Sequence, residues 1–183
     1  MNPADPAAVG RALDLAREFH EDPAAFGLPE AVSSEAVPDP ARRLLDHHSH
    51  MTVAMERFHG GPVALRVVAE RPATTAGDRY AREILLLHDG RVVQHGIVRI
   101  DLTAVPAAVA AAIRAGRLPL GRILVDAGLL CDVQHVRLLR ITAGPDLAAL
   151  CRVPPVAVIF GRVAEIRVGG LSAVNLLEIA APA

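Results

Sequence analysis

Two periodicities divide the chain. Val9, Leu13, Ala16 and Phe19 recur at helical spacing behind Asp5-Pro6, an N-cap followed by proline at the first helical position, and predict a short amphipathic helix. The stretch GLPEAVSSEAVPDP is irregular and rich in Pro, Ser and Glu, so it reads as a connection. Helical spacing returns in ARRLLDHHSHMTVAMERFHGG, with a break near Ser49 and a stop at Gly60-Gly61. From there the period falls to two. The segments PVALRVVAER, YAREILLLHDG, RVVQHGIVRIDL, VQHVRLLRIT, VAVIFGRVAEIRV and LSAVNLLEIAA predict about six strands. One alanine-rich helix, VPAAVAAAIRAG, interrupts them and ends at Gly116. Asp89-Gly90 and Gly169-Gly170 are two-residue hairpin turns, so the strands flanking each are antiparallel. The expected class is α+β: a single antiparallel sheet with helices packed on one face. Residues 1–38 form an N-terminal helix and irregular connection, and 39–183 the main domain.

The hairpins also predict register. Counting from Asp89-Gly90 places Arg82 opposite Ile97, on a strand whose two faces are both largely apolar. A guanidinium there needs an anionic partner, because burying it unpaired costs several kcal/mol, of the order of ~3–5. Counting from Gly169-Gly170 places Glu178 opposite Gly161, where a missing side chain leaves space for a ligand. Arg82 and Glu178 either pair within the core or hold a small anionic molecule between them.

Composition narrows the chemistry. Of 183 residues 52% are hydrophobic, enough for one sizeable core. A net charge of -1, no basic block and 3% aromatics give no footprint for nucleic acid. Every one of the 19 basic residues is arginine, which excludes Schiff-base, pyridoxal phosphate and Walker-lysine chemistry. Cys131 and Cys151 lie in no CxxC and read as small core residues. The start lacks the pattern of a signal peptide and no apolar run is long enough to span a bilayer, so a cytoplasmic protein without membrane contact is expected. His47, His48, His50, His59 and Glu56 cluster in sequence, but at spacings that fit no metal motif. They read as helix-end or solvent-facing side chains, and neither metal nor cofactor is expected. GxSxG, HExxH and GxGxxG are absent.

The segments SHMTVAMERFHG, YAREILLLHDGRVVQHG, RLPLGRIL, IFGRVAEIRVGG and NLLEIAAP follow one another in an order and spacing that resembles the chorismate pyruvate-lyases, or 4-hydroxybenzoate synthases, over about residues 40 to 182. The segment DHHSH and the first 38 residues depart from that pattern. The resemblance implies an enclosed aromatic-acid site and a cofactor-free elimination of pyruvate from chorismate. It also implies roles: Arg82 forks onto the ring carboxylate, the Leu120 amide joins it beside Gly121, Met51 lines the site, and Glu178 carries the proton to the departing enolpyruvate. Arg122 and Arg162 are both candidates for the enolpyruvyl carboxylate. The predicted register sets Arg162 on the face opposite Glu178 and so favours Arg122. The same fold resemblance extends to ligand-sensing domains of bacterial transcription regulators, which bind an effector and catalyse nothing. The first 38 residues are too short and acidic to supply a helix-turn-helix. A relative recruited to another substrate of secondary metabolism is the third reading.

Overall fold

A computed structural model describes residues 5–73 and 79–182. The α+β class is as expected, with one antiparallel sheet of seven strands in the order β1-β5-β6-β7-β4-β3-β2. The strands are β1 Gly27–Val32, β2 Ala64–Arg71, β3 Tyr80–His88, β4 Arg91–Ile100, β5 Cys131–Ala143, β6 Val158–Val168 and β7 Leu171–Ala180. The helices are α1 Pro6–Ala16, α2 Pro23–Phe26, α3 Ala41–Leu45, α4 Met51–His59, α5 Ala107–Arg114, α6 Leu120–Asp126 and α7 Pro145–Cys151. Among the described residues no helix is long and apolar enough to cross a membrane.

Local signals account for most boundaries. The Asp5 side chain accepts from the Ala8 amide, and Gly60 closes α4 in the left-handed conformation. The supposed connection instead contains β1, which pairs with β5 from Gly27↔Ala143 to Val32↔Leu138. It is an edge strand with one neighbour and an exposed Leu28, so it carries no clean alternation. Helices α6 and α7, seven residues each, are too short to establish a helical period.

Alternation along β7 sorts the sheet into two faces. Leu177 and Ile179 pack with Ile97, Leu139 and Val163 against α1, α2 and α7. Val174, Leu176, Glu178 and Ala180 point to the other face, which α3 to α6 cover. Cys151 is buried and Cys131 partly so, both as free thiols.

Two β-bulges displace the expected registers by one residue. Leu86 pairs with Gln94 but Leu87 with Val92, leaving Val93 as the extra residue of β4. Arg82 therefore faces Val98, not Ile97. Likewise Ile166 pairs with Val174 and Arg167 with Ser172, so Ala173 is extra and Glu178 faces Arg162, not Gly161. Gly161 leaves no space for a ligand. An added Cβ would lie 2.7 Å from the Glu178 carbonyl oxygen and 3.0 Å from the Ile179 side chain.

On the α1 face, Glu83 Oε1 accepts from His20 Nε2 at 2.8 Å and from His95 Nε2 at 2.7 Å. His20 Nδ1 lies 3.2 Å from Asp146 Oδ2. Carboxylates only accept, so both His20 nitrogens carry protons and the ring is an imidazolium. Burial opposes that charge, but Glu83 and Asp146 outweigh it and raise the His20 pKa above 6.5. Burial also opposes the Glu83 charge, yet the two imidazoles bring its pKa from 4.5 down to about 2. The His20 contribution to stability is complete below its unfolded value and is lost as pH rises through the raised one. That of Glu83 is complete above 4.5 and is lost as pH falls toward about 2. Thermal unfolding across pH should show stability falling above about pH 6.5, and His20→Gln should flatten that alkaline limb. A variant whose alkaline limb parallels the parent's would remove His20 from this role.

Candidate functional site

The helix-covered face encloses a cavity between the sheet and the first turns of α4 and α6. Arg82, Ile84 and Leu86 of β3, Gln94, Gly96 and Val98 of β4, and Arg162 and Glu178 of β6 and β7 form its floor. Ser49 to Thr52 and Pro119 to Gly121 form its roof. Its volume is about 40 Å³, room for a few water molecules, so a ring-sized ligand has to displace part of the lining or the roof.

The roof is fixed by a close helix–helix approach. A Cβ on Gly121 would lie 2.9 Å from Thr52 Oγ1 and 3.0 Å from His50 Cβ, so only glycine lets α6 start this close to α4. Met51 and Leu120 open these two helices and line the cavity.

Arg162 holds the wall. Its side chain is 1% exposed, and Nε donates to Glu178 Oε2 at 2.7 Å. Nη1 donates to the carbonyls of Leu45 and His47 at 3.2 and 2.7 Å, and Nη2 to that of Ser49 at 3.2 Å. One guanidinium thus neutralises Glu178 and satisfies the last carbonyl of α3 and two in the segment between α3 and α4. Glu178, 8% exposed, is an ion-pair partner rather than an isolated carboxyl. Arg162 shares its face, which overturns the preference for Arg122. Arg122 is outside the cavity on the outer side of α6, paired with Glu56 and 3.9 Å from Asp126.

Arg82 differs from Arg162 in having no such partners. It is 1% exposed, Nη1 donates weakly to the Ile113 carbonyl at 3.3 Å, and the guanidinium lies beside the Tyr80 hydroxyl. Nε has no partner, and no carboxylate among the described residues lies within 4 Å of the guanidinium. Its cross-strand neighbour Glu70 is exposed and accepts from the Tyr80 hydroxyl at 2.9 Å. Burial lowers the Arg82 pKa, with Tyr80 and Glu70 opposing, yet arginine remains a cation at any working pH.

The histidines divide. His50 stands at the N-cap position of α4 without a side-chain capping bond and lines the cavity. Burial lowers its pKa, Glu178 pushes it up and Arg162 down. Burial and then Arg162 also lower the pKa of His47. Both rings are therefore neutral near pH 7. His48 Nδ1 lies 3.0 Å from the Val133 carbonyl, and His59 stacks on His88 at 5.1 Å. Sequence reasoning overlooked Gln94, which is 3% exposed with an unpartnered Oε1. The signal was the one that marked Arg82: a polar side chain inside an apolar strand.

The sequence matches no family model and no curated protein. Solved structures do share the fold. The effector domain of PhnF from Mycobacterium smegmatis superposes with a TM-score of 0.53 at 13% identity, covering 73% of this chain and 88% of that one. The C-terminal domain of the histidine utilization repressor from Pseudomonas syringae pv. tomato gives a TM-score of 0.51 at 12% identity, covering 66% and 92%.

Proposed function

We propose that this chain binds a small carboxylic acid in the α4–α6 cavity, with Arg82 as the anchor, in the manner of an effector-binding domain. The observation that carries this is the buried, unpaired guanidinium at the cavity floor. A fold keeps such a group when a ligand completes it, since the unliganded protein bears the desolvation cost of the charge. A planar fork matches a carboxylate, and Leu120, at the α6 start in the same lining, would offer its backbone amide beside it. The fold shared with an effector domain and with a repressor domain supports a binding role.

A second reading, chorismate lyase activity, is favoured by Glu178 lining the same cavity as Arg82. There Arg82 would hold the ring carboxylate, and Glu178 would carry the proton needed when enolpyruvate leaves. Loss of the ring proton would give the phenol. Glu178 would have to exchange that proton while bound to Arg162.

Calorimetry with benzoate and 4-hydroxybenzoate should give a Kd in the low micromolar range for at least one, about -8 kcal/mol. Incubation with chorismate, followed for phenolic product and pyruvate, separates the readings. Binding without turnover supports the effector role, and turnover above the uncatalysed rate supports the lyase. Absence of both would overturn the assignment of this cavity.

A further inference from the structure

We infer that the cavity selects a monocarboxylate bearing an uncharged hydrogen-bonding group at its far end, and that Gln94 makes this selection. The inference rests on Arg82 as the carboxylate anchor and asks what the rest of the ligand must be. The charged residues of the lining are Arg82, Arg162 and Glu178, with His50 neutral near pH 7. Arg162 and Glu178 cancel at 2.7 Å, so a single positive charge is left unmatched. One carboxylate balances it. A second would enter beside Glu178 with every Arg162 contact already made to protein.

Gln94 marks the other end. It lies on β4 four residues from Val98, the cross-strand partner of Arg82, so about 13 Å of strand separates the two positions. Gln94 is 3% exposed and its Oε1 is buried without a hydrogen-bond partner among the described residues. The nearby His50 Nδ1 is also buried without a partner. Orphaned buried polar groups are costly, and several around one cavity indicate the polarity of what fills it. An amide both donates and accepts, and it carries no charge. Its complement is a hydroxyl, an amine or an amide. Gly96, between Gln94 and Val98 on the same face and paired with Glu178, leaves room that the Ile84 and Gln94 side chains fill, since a Cβ there would lie 3.3 Å from Ile84 Cδ1 and 3.5 Å from Gln94 Nε2.

The test uses the full chain at pH 7, calorimetry, and three probes of one shape: benzoate, 4-hydroxybenzoate and terephthalate. The parent should bind 4-hydroxybenzoate about tenfold tighter than benzoate, one buried hydrogen bond's worth, and terephthalate about tenfold or more weaker than benzoate. Gln94→Leu should reduce the hydroxyl preference to less than about threefold while leaving benzoate within about threefold of its parent value. Gln94→Arg should reverse the discrimination and bind terephthalate more tightly than benzoate. Equal binding of all three probes by the parent, or a hydroxyl preference that survives in Gln94→Leu, would overturn the inference and leave Arg82 as the anchor. Failure of the parent to bind any of the three would overturn the anchor itself. Should Gln94→Arg not fold, the comparison of the parent with Gln94→Leu decides.

Discussion

Replacing Arg82 with methionine should remove carboxylate binding and leave the unliganded protein more stable. The two effects have one cause. In the free protein the guanidinium is 1% exposed, with a weak contact to the Ile113 carbonyl, the neutral Tyr80 hydroxyl beside it, an unpartnered Nε and no carboxylate in direct contact among the described residues. Methionine fills much of the same volume without charge to desolvate, and removing an uncompensated buried charge recovers about 1 to 3 kcal/mol. For a chain of this length that is a rise in Tm of roughly 3–10 °C. Truncating one partner of a buried charged contact costs about 2 to 5 kcal/mol of affinity, so micromolar binding would weaken at least about thirtyfold. Ligand at a hundred times its Kd should stabilise the parent by about 2.7 kcal/mol and leave the variant unmoved. Thermal unfolding with and without 4-hydroxybenzoate reads both effects. A variant less stable than the parent and still stabilised by ligand would make Arg82 a structural residue.

How much of this was legible in the sequence follows from where the physics is local. The turns at Asp89-Gly90 and Gly169-Gly170 were readable because positive φ at those residues is a requirement of the backbone itself. Arg82 and Glu178 were readable because a charge inside an apolar strand is anomalous whatever its surroundings. The registers were not, because Val93 and Ala173 look like ordinary strand residues and only the twist and packing of the assembled sheet make them bulges. A shift of one residue changed the pairing of Arg162. Counted without the bulge it stood across the sheet from Glu178, and with it the two are joined at 2.7 Å. Arg122 was ranked above Arg162 on that error alone.

The shared fold bears on architecture and leaves the chemistry to the site. At 12 and 13% identity a common sheet and roof say nothing about which side chains meet the ligand. The distinguishing facts are charges. Chorismate carries two carboxylates, whereas the lining offers one unmatched cation. That arithmetic places the lyase reading under more strain than the binding reading, although Arg82 and Glu178 are the residue types that each requires.

Arg162→Met should be the most damaging single substitution in the site. The variant would leave the Glu178 carboxylate buried without its cation and deprive the carbonyls of Leu45, His47 and Ser49 of their donor. Breaking a buried pair from one side costs about 3 to 5 kcal/mol, a fall in Tm of roughly 6–20 °C here. The roof residues Ser49 to Thr52 follow directly from the segment that Arg162 holds, so ligand binding should be lost with the stability. Adding Glu178→Met to Arg162→Met removes the orphaned carboxylate and should recover about half of the lost stability, but not the binding, because the carbonyls remain unsatisfied and the roof unanchored. Recovery in the double variant is the decisive measurement. If the double variant is as unstable as the sum of the two single variants, the ion pair contributes no coupling. The wall would then rest on the carbonyl contacts of Arg162 alone.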